Sequence, residues 1–486
     1  MHRKILLPIL LFFLSFNGFS QNLISIDLVE TYAQSELADF TGIEANFDVE
    51  LYYVLYETTD VNDEVVMASG VFAYPVLPGY SYLLPTLLYE HGTAGSKSGV
   101  ASEDGNELSL IVGYASQGYM TVAPDLLGLG ASPGFHPYLD ARTEASASVD
   151  MLNAIDSVID SEELDDNARS GQLFITGYSG GAHASMASHK ALEEGSEIAP
   201  SYQVIAAAHS SGPYSLSGEM VDFTLGGDVY IFPGFLPYVA VSLLLEADPL
   251  YDDLEQMFKP QYVAPIEQFR NWDIDLLTLN FSLAATLTVD AGGLFPAEML
   301  QDSIADALLN NPDHPANQAL QANDLYDWSP QAVTRMFYCT ADEIVTFTNS
   351  TLAETTMNDN GAADTQAIDV DPDSGHGDCV PFAVTAALDL FNQYAQIDAI
   401  TSTEKTLGDI KFSVFPNPST GYLGIQIPED LNAEMLQIFD WNGRLIHLQA
   451  INQADLSLDF SNLTNGMYAI QIQGQKGTYR QTWIKN

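Results

Sequence analysis

The chain has 486 residues, with 15 Lys and Arg against 65 Asp and Glu, a formal net charge of −50. That length supports one large domain with a smaller one, or two to three ordinary ones. The charge excludes nucleic acid and anionic lipid headgroups as partners, and it suits salty, extracellular water, where a Debye length of about 8 Å or less screens self-repulsion.

Residues 1–20 read as a secretory signal peptide. His2, Arg3 and Lys4 lead into the apolar run ILLPILLFFLSF, and Gly18 and Ser20 supply the small residues required before a cleavage point, placed after Ser20. The run of 12 apolar residues is too short to span a membrane, which needs about 20. Next, NFDVELYYVLYETTD and VVMASGVFAYP alternate in polarity and are rich in Val and Tyr, which predicts an antiparallel pair. From Leu83 short apolar runs alternate with helix-length stretches: YLLPTLLYE, YMTVAP, QLFITG and YQVIAAA are strands separated by amphipathic helices. That rhythm predicts a doubly wound, mostly parallel α/β sheet, with reactive groups at the carboxyl ends of its strands.

Residues 213–330 interrupt the rhythm with several helices of high apolar content, either additional core or a cap over an apolar substrate pocket. The pattern resumes with TRMFYC as a strand, a helix near 347–358, TQAIDV as the last strand and VPFAVTAALDLFNQYA as the closing helix. Together these define a catalytic domain over 21–396, a polar linker over 397–409 and a small all-β, sandwich-like domain over 410–486. The acidity belongs to the first of these: residues 21–396 carry 7 basic and 56 acidic side chains, and residues 397–486 carry 6 and 9.

The strand LFIT runs into Gly177-Tyr178-Ser179-Gly180-Gly181 and then into a helix. A serine flanked by glycines at a strand-to-helix junction is the setting of a nucleophile elbow, where a β-carbon on either side would collide with the turn. The hydroxyl becomes a nucleophile only when an imidazole held by a carboxylate removes its proton, in the order serine, acid, histidine. His376, in DSGHGDC beyond the last sheet strand, is the candidate base, since His314 lies in the insertion and His447 in the second domain. Asp342, directly after the strand RMFYC, is the candidate acid; Glu343 points elsewhere, and Asp324 and Asp327 precede the strand at its wrong end.

Backbone N–H groups must also meet the developing oxyanion. Gly180 supplies one, and Thr93, in the turn HGTAG after the strand LLYE, supplies the other, with His91 fixing that turn through a hydrogen bond. The only cysteines, Cys339 and Cys379, lie three residues before Asp342 and three after His376, so they are either two free thiols or a disulfide tying the acid turn to the histidine loop. DVDPDSGHGD has the spaced aspartates of a calcium loop, but Ser374 stands where glycine is needed and Val380 where a bidentate Glu belongs. No metal and no cofactor is expected.

With Ser179, Asp342 and His376 so assigned, the chain resembles an α/β-hydrolase. More narrowly, YEHGTAG, TVAPDLLGLGASPGFHPYLDARTEASASVDML and ITGYSGGAHASM resemble the secretory lipase family over residues 83–395. That resemblance implies a serine carboxylester hydrolase acting on acylglycerols or other esters with apolar acyl chains; polyester or aryl-ester (feruloyl-type) hydrolysis, a serine peptidase and a surface binding protein without turnover are the alternatives. FSVFPNPSTGYLGIQI, LQIFDWNGRLI and LTNGMYAIQIQG resemble the C-terminal sorting domain of the type IX secretion system. This implies export across both membranes of a Gram-negative cell, with that machinery as partner, then release or attachment at the outer surface. A monomer is expected.

Overall fold

The computed structural model describes residues 22–77, 82–103, 105–160, 168–195, 202–245, 249–399, 412–428, 433–440, 445–451, 453–474 and 477–486. The expected signal peptide and residues 400–409 of the expected linker lie outside them. The chain divides after Ile400 into two compact units.

The first unit opens with β1 (Leu23–Tyr32), α1 (Gln34–Thr41), β2 (Asp48–Thr59) and β3 (Val65–Val76), the three strands running antiparallel. The pair expected from sequence is thus a triplet. Next come β4 (Tyr82–Glu90), α2 (Leu108–Ser116), β5 (Met120–Pro124), α3 (Ala141–Asp160), β6 (Ala168–Tyr178), α4 (Gly180–Glu194) and β7 (Gln203–Ser210). Among the described residues six α-helices then intervene: α5 (Val221–Leu225), α6 (Phe235–Ser242), α7 (Pro260–Arg270), α8 (Leu276–Asp290), α9 (Asp302–Asn310) and α10 (Pro315–Gln321). The sheet resumes with β8 (Val333–Tyr338), α11 (Thr348–Asp359), β9 (Asp364–Asp369), α12 (His376–Asn392) and β10 (Asp398–Ala399).

The strand order is β1-β2-β3-β5-β4-β6-β7-β8-β9, with β10 antiparallel to β4. β5, β4, β6, β7, β8 and β9 are mutually parallel, so their carboxyl ends share one edge. Both faces are covered because successive side chains point to opposite sides. On one face Leu87, Tyr89, Phe174 and Phe337 pack with α2 and α12. On the other Leu84, Leu88, Leu173 and Ile175 pack with Met151, Leu152 and Ile155 of α3.

The insertion between β7 and β8 carries a core of its own. Tyr238, Val241, Phe258, Tyr262, Phe269, Leu279 and Leu283 are buried together there, joined by Phe135, Tyr138 and Leu139 from the loop before α3.

The second unit holds two antiparallel sheets. One orders β11 (Ser413–Phe415), β12 (Tyr422–Gln426) and β15 (Asp455–Asp459); the other orders β14 (Leu445–Ala450), β13 (Ala433–Asp440), β16 (Gly466–Gly474) and β17 (Gly477–Lys485). Ile425, Leu436, Ile438, Ile470 and Trp483 form its core, and the Trp483 indole N–H donates to Ser419 Oγ at 2.9 Å.

Phe174 is fully buried at the centre of β6, edge-on to Tyr119 at 5.6 Å and 5.2 Å from Phe391. Phe174→Ala should lower the unfolding free energy by about 3–5 kcal/mol, read from urea unfolding followed by tryptophan fluorescence; a loss below about 1 kcal/mol would contradict this packing.

Candidate active site

β6 ends at Tyr178 and α4 begins at Gly180. Ser179 joins them at φ 60°, ψ −123°, a backbone conformation that a non-glycine residue adopts only under strain. The neighbouring strand shares in holding it there, since the Ser179 N–H donates to the Ser210 carbonyl at 2.9 Å. A β-carbon on Gly177 would lie 2.1 Å from the Gly181 carbonyl oxygen, and one on Gly181 would lie 2.3 Å from the Glu90 carbonyl oxygen. Both glycines therefore let β4, β6 and α4 close around the serine.

His376 is the first residue of α12. Its Nε2 lies 2.9 Å from Ser179 Oγ and its Nδ1 lies 2.7 Å from Asp342 Oδ2. Asp342 Oδ1 accepts the N–H groups of Ile344 and Val345, each at 2.9 Å, which leaves Oδ2 for the ring. Asp342 is buried, so water does not compete for that carboxylate. The three residues singled out in the sequence are thus hydrogen-bonded in one line.

Two further holds on His376 were not apparent in the sequence. The Tyr178 hydroxyl donates to the His376 carbonyl at 2.6 Å, and Glu343 Oε2 accepts the His376 N–H at 3.0 Å. Cys339 and Cys379 are bonded across 40 positions, Cα to Cα 6.0 Å, which joins the acid turn to α12. Closing a loop of that length stabilises by about 4 kcal/mol through the unfolded chain. His314 instead caps α10, accepting the Ala316 N–H at 3.2 Å, and Asp324 accepts the N–H and hydroxyl of Ser217.

The turn after β4 lies against the elbow. A β-carbon on Gly180 would stand 2.8 Å from Thr93 Oγ1 and 3.5 Å from Thr93 N. Among the described residues, neither amide makes a backbone hydrogen bond. The turn is fixed from three sides. Glu107 accepts the Gly92 N–H at 3.0 Å and the Tyr89 hydroxyl at 2.7 Å; Tyr138 OH pairs with Thr93 Oγ1 at 2.8 Å; His91 places Nδ1 2.7 Å from the Gly92 carbonyl and Nε2 3.0 Å from the Asp125 carbonyl. Burial opposes a charge on His91, but Glu107 and the two carbonyls outweigh it and raise its pKa. An imidazolium with both N–H groups donating fits that position.

Ser179 opens into a pocket. Its walls are almost wholly apolar: Leu216, Met220, Val221 and Leu236 from the insertion, and Ile344 and Val345 from the turn that holds Asp342.

Residues 96–391 match the family model described as secretory lipase. The chain belongs to the secretory lipase family. Residues 413–486 match the secretion system C-terminal sorting domain. No curated protein matches the chain. Among solved structures it is similar to the rice cell wall degrading esterase LipA from Xanthomonas oryzae, at 25% identity over 77% of this chain and 98% of that one, TM-score 0.64. A Legionella pneumophila hydrolase superposes at TM-score 0.67 with 22% identity over 79% of this chain and 99% of its own. The closed state of Candida antarctica lipase A gives 0.56 with 18% identity over 77% and 81%. The chain is accordingly a carboxylic ester hydrolase of α/β-hydrolase fold, and its type IX sorting domain makes it a secreted or cell-surface protein.

Behind the elbow the chain buries a carboxyl group. Glu90, the last residue of β4, is fully buried, and Ser188 donates to its Oε1 at 3.2 Å. Burial pushes its pKa up to about 7. Because the folded value lies above the ordinary carboxylate range, its contribution to stability is complete below about pH 4.5 and is lost as pH rises through about 7. Glu90→Gln removes that titration, so the variant should gain stability relative to the parent between pH 5 and pH 8 in urea unfolding. An unchanged difference across that range would contradict the assignment.

Proposed function

We propose that this ester hydrolase cleaves esters of apolar acyl chains through an acyl-enzyme on Ser179. The reading rests above all on one observation: Ser179 Oγ, 2.9 Å from an imidazole whose other nitrogen faces a buried carboxylate, opens directly into an apolar pocket.

In this reading His376 Nε2 takes the Ser179 hydroxyl proton as Oγ bonds to the ester carbonyl carbon. The carbonyl electron pair moves onto oxygen, where the N–H groups of Gly180 and Thr93 receive it, each worth about 3 kcal/mol or more in the transition state. Collapse expels the alkoxide, which takes the proton back from His376. Asp342 keeps Nδ1 protonated and stabilises the imidazolium. Water, deprotonated by the same ring, then attacks the acyl-enzyme, and the free acid leaves.

The pocket supports an aliphatic acyl group. Most of its lining side chains are branched or straight hydrocarbon, and among the described residues that line it none is charged. A flexible chain of methylenes gains about 0.8 kcal/mol for each one removed from water there. The second unit serves in this reading as the cargo signal for type IX export and is removed once outside.

Ser179→Ala should lower kcat on p-nitrophenyl esters by more than about 10³-fold and abolish one-to-one labelling by a fluorophosphonate. On the parent enzyme, kcat/KM should climb from acetate through octanoate. Full activity in the alanine variant would overturn the mechanism. Turnover confined to feruloyl esters, a polyester or peptides would overturn the substrate class.

A further inference from the structure

Glu343 follows the candidate acid directly, and its side chain turns away from the ring and toward the backbone of the same histidine. Its Oε2 accepts the His376 main-chain N–H at 3.0 Å. Asp342 and Glu343, consecutive residues of one turn, therefore grip one residue at two places, the imidazole and the amide.

Gly375 carries an independent sign of the same contact. A β-carbon on it would lie 2.6 Å from Glu343 Oε2 and 3.3 Å from Glu343 Cδ. The carboxylate thus occupies the space that any side chain at 375 would need. At Gly375 the backbone has φ −74°, open to any residue, so a side chain placed there would have to displace the Glu343 carboxylate.

Asp342 meets the ring through Oδ2 alone, because Oδ1 is spent on Ile344 and Val345. With Ser179 at the other ring nitrogen and the Tyr178 hydroxyl on the carbonyl, the main-chain N–H is the remaining polar group of His376, and the Glu343 carboxylate holds it at the first residue of α12, a helix of 17 residues whose amino end also favours a negative charge.

We propose that Glu343 is a positioning residue for His376, one that fixes its backbone so that Nε2 stays aimed at Ser179 Oγ. The inference rests on the catalytic reading of Ser179, His376 and Asp342. Glu343 is exposed, so its removal leaves the core packing untouched.

The test is steady-state kinetics on p-nitrophenyl butyrate, with fluorophosphonate labelling rates and thermal unfolding, for the full chain carrying Glu343→Ala, Glu343→Gln, Gly375→Ala and the Glu343→Ala/Gly375→Ala pair. Glu343→Ala should cut kcat and the labelling rate about tenfold with KM within about twofold, as expected for a misaimed base. Glu343→Gln should recover most of that loss, since its amide oxygen accepts the same N–H. Gly375→Ala should reproduce the Glu343→Ala defect by displacing the carboxylate, and the double variant should be no slower than either single one. Full kcat in Glu343→Ala, a Gln variant as slow as the Ala variant, or multiplying defects in the pair would each overturn the inference. Should Gly375→Ala fail to fold, the Ala and Gln variants at 343 decide alone. An inactive Ser179→Ala beside a fully active Glu343→Ala defeats this inference only; an active Ser179→Ala defeats the catalytic reading beneath it.

Discussion

The hydrogen bond between Ser179 and His376 spans 197 positions of chain, and the rest of the molecule is the means of making it. Here a serine hydroxyl and an imidazole so far apart in sequence meet because the carboxyl ends of several parallel strands share one edge. β6 ends at the serine, β7 lends the Ser210 carbonyl that holds the serine amide, and β8, next in order, ends at the turn carrying Asp342. Neighbouring strands stand about 4.8 Å apart, so the acid turn lies roughly 10 Å from the elbow, and the imidazole fills that distance.

The sheet and the elbow were legible in the sequence for one reason: parallel strands buried on both faces must be apolar almost without interruption, and LFIT, VIAAA and RMFYC are. What escaped notice obeyed weaker rules. β1 lies at the edge of the sheet, where Ile24, Leu28 and Val29 are exposed, and an edge strand facing water has no core to impose a pattern. Asp342 could be chosen because it follows a strand at the correct end. Glu343 was set aside as pointing elsewhere; it does point elsewhere, but toward a backbone amide, and no residue pattern announces a long-range contact to the main chain. Tyr178, the variable position of the elbow motif, belongs to the same class.

The polar machinery and the apolar pocket share a wall. Ile344 and Val345 donate their amides to Asp342 and present their side chains to the pocket beside Ser179. One short turn thus orients the Asp342 carboxylate and shapes part of the apolar wall beside Ser179. The insertion completes the enclosure with a core of its own, so the roof of the pocket does not depend on the sheet for its packing. The pocket lining described beside Ser179 is apolar, as an uncharged acyl chain requires.

The most direct test of the account is a crystal structure of the enzyme inactivated with a p-nitrophenyl alkylphosphonate. The account predicts a single covalent bond from phosphorus to Ser179 Oγ, a phosphoryl oxygen about 3 Å from the amide nitrogens of both Gly180 and Thr93, and the alkyl chain between Leu216 and Val345. Phosphorus on another side chain, or an oxygen turned away from those two amides, would contradict it.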